Sequence, residues 1–235
     1  MDVRSLFSRT TAIALVFVLV SAPSTLAAEQ AGSYASAGAT STFDGFRGNM
    51  GIRTDPATVS GVGYVHAAQI DVGAAGGDFV AIGTSNGLGV SGTACANDYD
   101  PRWTIYVDWV LGGVYGCADS ALDVYGSGAN PSFHLSWSWC SALNRSTWVL
   151  LFDGVQRRCL TSANSVGSRV IAMLETTGVS TTDRNIDVRY TNLNKNYGSG
   201  TTWFAYGTGI QVVAPNYTYQ HVSSTAFNVY LAPLD

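Results

Sequence analysis

Charge is scarce in this chain. Of 235 residues only 12% are Asp, Glu, Lys or Arg; the one lysine is Lys195 and the only glutamates are Glu29 and Glu175. Lys, Glu and Arg are strong helix formers, so their shortage beside 26 glycines and 12 tyrosines argues against a helical protein. A net charge of -4 gives no basic footprint for nucleic acid. No stretch carries the roughly 20 apolar residues needed to span a bilayer. There is no Cys-x-x-Cys, and neither His66 nor His134 has ligand spacing to a cysteine, which argues against zinc.

What is present starts with an address. Residues 1–28 read as a secretory signal helix: Arg4 and Arg9 precede the apolar run Ala12–Val20, and Thr25-Leu-Ala-Ala28 offers small residues for cleavage. The expectation is a secreted, extracellular protein with no membrane association after cleavage. Cys95, Cys117, Cys140 and Cys159 all lie beyond this segment, an even number in an oxidising compartment, so two disulfides are expected. Four cysteines allow three pairings; Cys95–Cys117 with Cys140–Cys159 is favoured because both close short loops. Residues 29–42 are mostly Ala, Gly, Ser and Thr, too small to bury a face, and read as a flexible lead-in. Residues 43–235 read as one domain.

Within that domain the dominant signal is period-two alternation broken by turn residues. Trp103, Ile105, Val107 and Trp109 alternate with Thr104, Tyr106 and Asp108 before the turn pair Gly112-Gly113. Phe133, Leu135, Trp137 and Trp139 alternate with His134, Ser136, Ser138 and Cys140, and Trp148–Asp153 ends at Asp153-Gly154. About ten short strands without a 3.6-residue stripe predict an all-β fold, an antiparallel two-sheet jelly-roll sandwich.

Two motifs resemble catalytic signatures. Gly83-Thr-Ser-Asn-Gly87 matches the nucleophile elbow G-x-S-x-G, and Gly87-Leu-Gly-Val-Ser-Gly92 matches the dinucleotide fingerprint. Both need a following helix, which this sequence does not supply. Asn97-Asp-Tyr-Asp-Pro101 gathers Asp98 and Asp100 in a loop: ordinary turn chemistry, with calcium as the alternative and no other cofactor expected.

Strand parity groups the polar residues. With the tryptophans inward, Tyr106, Asp108 and His134 take the opposite side; Glu175 follows from Val170, Ala172 and Leu174 being inward, and Asp187 and Arg189 from Val188 and Tyr190. Tyr106, Asp108, His134, Glu175 and Arg189 are therefore candidates for one ligand-binding face. Glu175 with Asp108 or Asp187 is the candidate catalytic pair, because two-carboxyl hydrolysis needs an acid and a base or nucleophile roughly 5–10 Å apart. Tyr115, Tyr125, Tyr197, Trp203, Tyr217 and Tyr219 add candidate stacking platforms.

A longer pattern runs through Arg47-Gly-x-x-Gly-Ile-x-Thr54, His66-x-Ala-x-Ile70, Phe79-Val-Ala-Ile-Gly83 and Trp103-x-x-Tyr-Val-Asp108. It continues in Trp148-Val-Leu-Leu-Phe-Asp-Gly154, Ala172-Met-Leu-Glu-Thr-Thr-Gly178 and Asn185-Ile-Asp-Val-Arg-Tyr190. This order resembles exported concanavalin A-like (lectin/glucanase) β-sandwiches and, more distantly, neprosin-like domains, which are glutamic peptidases using two glutamates. The resemblance implies that Glu175 stands near the second glutamate; the first has no counterpart, because Val80-Ala-Ile-Gly83 carries no acid. The paired acids of the fold's glycanases, on one strand as Glu-x-Asp-x-x-Glu, are also missing. The expectation is a non-catalytic, lectin-like secreted module for a glycan or cell-wall polymer. The alternatives are a secreted hydrolase using Glu175 with an aspartate, and an extracellular structural protein.

Overall fold

The computed structural model describes residues 29–37, 42–53, 62–73, 77–85, 88–89, 96–98, 103–125, 128–177, 187–197, 202–213 and 217–231, and every regular element among them is a strand. In chain order these are β1 (Glu29–Ser36), β2 (Phe43–Ile52), β3 (Val62–Val72), β4 (Asp78–Ser85), β5 (Leu88–Gly89) and β6 (Ala96–Asp98). Then come β7 (Trp103–Leu111), β8 (Val114–Tyr125), β9 (Ser132–Cys140), β10 (Arg145–Phe152), β11 (Val155–Leu160) and β12 (Gly167–Thr177). The last are β13 (Val188–Tyr197), β14 (Trp203–Ala205), β15 (Ile210–Val213), β16 (Tyr217–Ser223) and β17 (Ala226–Leu231). The signal segment expected at 1–28 lies outside the described residues.

Antiparallel pairing arranges the strands in two layers. The first runs β15-β1-β12-β3-β4-β7-β8; the second runs β11-β10-β9-β2-β13-β17-β16, with β14 on β13. Between β2 and β12 the layers are joined by the single register pair Gly167↔Phe43. The fold is thus the expected all-β antiparallel sandwich. Its core takes Val170, Ala172, Leu174, Ile70, Val80, Ile82, Trp103 and Ile105 from the first layer. The second contributes Phe46, Met50, Ile52, Leu135, Trp148, Leu150, Tyr190 and Val229. Tyr190 ties the layers by donating from its hydroxyl to Met173 O (2.8 Å).

The turns follow their dipeptides. Gly112 and Gly113 (φ +61° and +74°) close the β7–β8 hairpin, and Asp153 and Gly154 (φ +50° and +74°) close β10–β11, positive values that the two-residue hairpin requires. Asp78 accepts from the Gly112 and Gly113 N–H groups at 2.8 and 3.3 Å, pinning the first hairpin to β4.

Two expectations need correction. Residues 29–36 are not a flexible lead-in: they form β1, paired with β12 and β15. Their small side chains are the reason, since Ala31, Ser33 and Ala35 fill a shallow part of the core, and a side chain at Gly32 would run into the backbone of Ala172 and Met173. Trp139 is 61% exposed beyond the end of the core, although Phe133, Leu135 and partly buried Trp137 pack inward as read. Ser85 of the elbow-like motif is, in keeping with the missing helix, no exposed nucleophile: it is buried in β4, with Thr104 Oγ1 donating to its carbonyl at 3.1 Å.

The expected Cys140–Cys159 disulfide is present, linking β9 to β11 over a sequence separation of 19. Cys117 is also disulfide-bonded; Cys95, its expected partner, lies outside the described residues.

Candidate functional site

Register decides which polar residues share a surface. In the first layer, Glu175 in β12 pairs with Gln30 in β1 and with Tyr64 in β3. The row continues through Ser85 in β4 to Thr104 in β7. One step along β12, Met173 pairs with His66, and that row continues to Gly83 and Tyr106. Directly paired residues on one face have Cβ atoms about 4.5–5.5 Å apart. Gln30, Glu175, Tyr64 and His66 therefore occupy neighbouring positions on three adjacent strands. A bulge in β3 between His66 and Ala68 makes this possible. It inserts one residue into β3, which brings position 66 opposite Met173 and position 64 opposite Glu175.

Further along the same face stands an ion pair that parity alone did not find. Arg169 Nε donates to Asp71 Oδ2 at 2.6 Å, and Gln69 Nε2 donates to Asp71 Oδ1 at 2.9 Å. The Arg169 guanidinium also lies over the Tyr34 ring, 5.0 Å from its centroid. Asp71 is buried, so its charge is matched on both oxygens.

The five-residue ligand face does not exist as one surface. Tyr106, Asp108 and Glu175 belong to the first layer, whereas His134 (β9) and Arg189 (β13) lie on the outer side of the second. Parity fixes whether a side chain faces the core, not which layer carries the strand. Tyr106 is moreover only 1% exposed, so it presents no platform, and Tyr217 is buried as well.

Neither catalytic pair survives this geometry. Asp187 immediately precedes β13 in the second layer, where its carbonyl accepts from Arg53 N–H at 2.9 Å. Asp108 lies three strands across and four residues along from Glu175. At about 4.8 Å per strand and 3.3 Å per residue, that is roughly 19 Å, beyond any two-carboxyl mechanism. Asp98 falls in β6 and Asp100 outside the described residues; among the described residues no group of three His, Cys, Asp or Glu forms a metal site.

The second layer carries its own polar surface. Arg47 of β2 pairs with His134 of β9 and Asn194 of β13. Its guanidinium sits 4.2 Å above the Trp203 ring, and His134 meets that ring edge-on at 5.2 Å. Burial, then the Arg47 charge, lowers the His134 pKa, so its imidazole is neutral at neutral pH.

Layer order and face together allow a comparison with solved structures. The chain is similar in fold to scytalido-glutamic peptidase. That protein was crystallised with a peptide-based transition state analogue; the match covers 88% of this chain and 100% of that one, with a TM-score of 0.50 and 10% identity. At that identity the likeness to the peptidase shows the sandwich alone. No family model matches the chain, and no curated protein matches it.

Proposed function

We propose that the chain is an exported hydrolase that cleaves peptide bonds, with Glu175 supplying the reacting carboxyl. The observation that carries this reading is the register that puts Glu175 next to Gln30, Tyr64 and His66 on adjacent strands of the first layer. Support comes from the shared sandwich of a glutamic peptidase. The Cys140–Cys159 disulfide agrees with an oxidising compartment. In this reading Glu175 takes a proton from the attacking water and returns one to the leaving nitrogen. The Gln30 amide is the neutral donor for the carbonyl oxygen as charge develops there. One carboxyl and one amide replace the two-carboxyl scheme, whose aspartates stand too far away.

The test is digestion of casein by the purified protein between pH 3 and 7. Glu175→Gln is expected to lose at least 100-fold in rate, and Asp108→Asn to stay within about threefold of the parent. No digestion by the parent protein, or equal loss in both variants, overturns the reading.

A further inference from the structure

The outer side of the second layer is built from other strands than β12, which carries Glu175. Three cavities open there, with volumes of about 380, 450 and 360 Å³. The first is lined by Arg47, Asn49, His134, Asn192 and Asn194. The second and third share Arg53 and Arg189, and the third adds Gln220 and Asn228. Register joins them, because Asn49↔Thr191 of the first two neighbours Gly51↔Arg189 along the same pair of strands. The result is a trough along β2 and β13. From Arg47 to Arg53 it covers six residues, about 20 Å at 3.3 Å each.

We propose that this trough binds an acidic polysaccharide, a chain of uronic-acid-type sugars, along the line Arg47–Arg189–Arg53. The three arginines are exposed. A planar guanidinium takes a carboxylate through two parallel hydrogen bonds, which suits acid groups spaced along a polymer. Beside the arginines the lining includes Asn49, Asn130, Asn192, Asn194, Gln220 and Asn228, and each amide offers a donor and an acceptor, the complement of a sugar hydroxyl.

Those amides are already set in place. Asn192 Nδ2 donates to Asn49 Oδ1 at 3.1 Å, Asn194 Nδ2 to Asn192 O at 2.6 Å, and Asn228 Nδ2 to Gln220 Oε1 at 2.9 Å. Each contact holds a side chain in one orientation. Arg47 is likewise held in orientation by Trp203. Carboxylates stand at both ends: Asp153 accepts from Ser132 N–H at 2.7 Å, and Asp187 lies beside Arg53 and Arg189. Three guanidiniums against two carboxylates leave this face positive on a chain whose net charge is -4. Nucleic acid fits less well, because base stacking needs bare aromatic rings and Trp203 already carries Arg47.

The test is retention on immobilised polygalacturonate. The parent protein is expected to bind at low ionic strength and to elute as salt rises. The triple variant R47Q/R53Q/R189Q is expected to bind at least tenfold more weakly with unchanged circular dichroism. R158Q, whose guanidinium packs over Trp109 of the other layer, is expected to bind like the parent. E175Q is expected to keep full retention while losing digestion, so this inference and the hydrolase reading fail separately. The inference is overturned if the parent is not retained, if the triple variant binds equally well, or if neutral dextran or single-stranded DNA holds the protein as tightly.

Discussion

Asp44, near the start of β2, is 8% exposed, and its Oδ1 has no hydrogen-bond partner among the described residues. Burial raises its pKa to about 6, against a smaller opposing effect of a backbone hydrogen bond. The folded state therefore favours the protonated acid. That contribution to stability is complete below the unfolded value near 3.8 and is lost as pH rises through about 6. Asp44→Asn is expected to melt with the parent at pH 4 but above it at pH 7, by on the order of 2 kcal/mol. Melting curves at pH 4, 5, 6 and 7 test this, and a constant offset between the proteins refutes it. An acid in such a place was not legible in the sequence, because parity puts position 44 on the core side but says nothing about whether a partner waits there. The Glu175 position was legible in part: alternation with Leu174 gave its side of the strand, while its neighbours Gln30, Tyr64 and His66 follow only from pairing.

Strands and hairpins came through from sequence most fully, since alternation and the Gly-Gly and Asp-Gly dipeptides are local signals. β1 did not, because residues as small as Ala31, Gly32 and Ser33 look incapable of burial until a close neighbour makes smallness the requirement. The β3 bulge was equally hidden, as both Ala67 and Ala68 are buried alanines and nothing local marks the extra residue. The importance of β1 is testable through Gly32. Gly32→Ala forces a methyl group against the Ala172 carbonyl and Met173, backbone that has nowhere to move. A loss of about 1–3 kcal/mol in urea unfolding is expected. It should be accompanied by lost casein digestion, since Gln30 would shift with the strand. Unchanged stability would mean that β1 is not seated between β12 and β15.

At the scale of the molecule, Cys140–Cys159 ties β9 to β11 across the intervening β10 at one end of the second layer. Closing a loop of this length stabilises by about 3 kcal/mol through the unfolded chain. C140S/C159S is accordingly expected to lower the melting temperature by several degrees, as is reduction of the parent; a coincident melt would exclude the cross-link as a support. Layer membership is also the property that sequence periodicity conveyed least, and it proved decisive: it put His134 and Arg189 in one layer and Glu175 in the other. This arrangement has a consequence for where work is done. Under the two proposals, anchoring and cutting fall on separate layers, so an anchored molecule would digest soluble peptides rather than its own support.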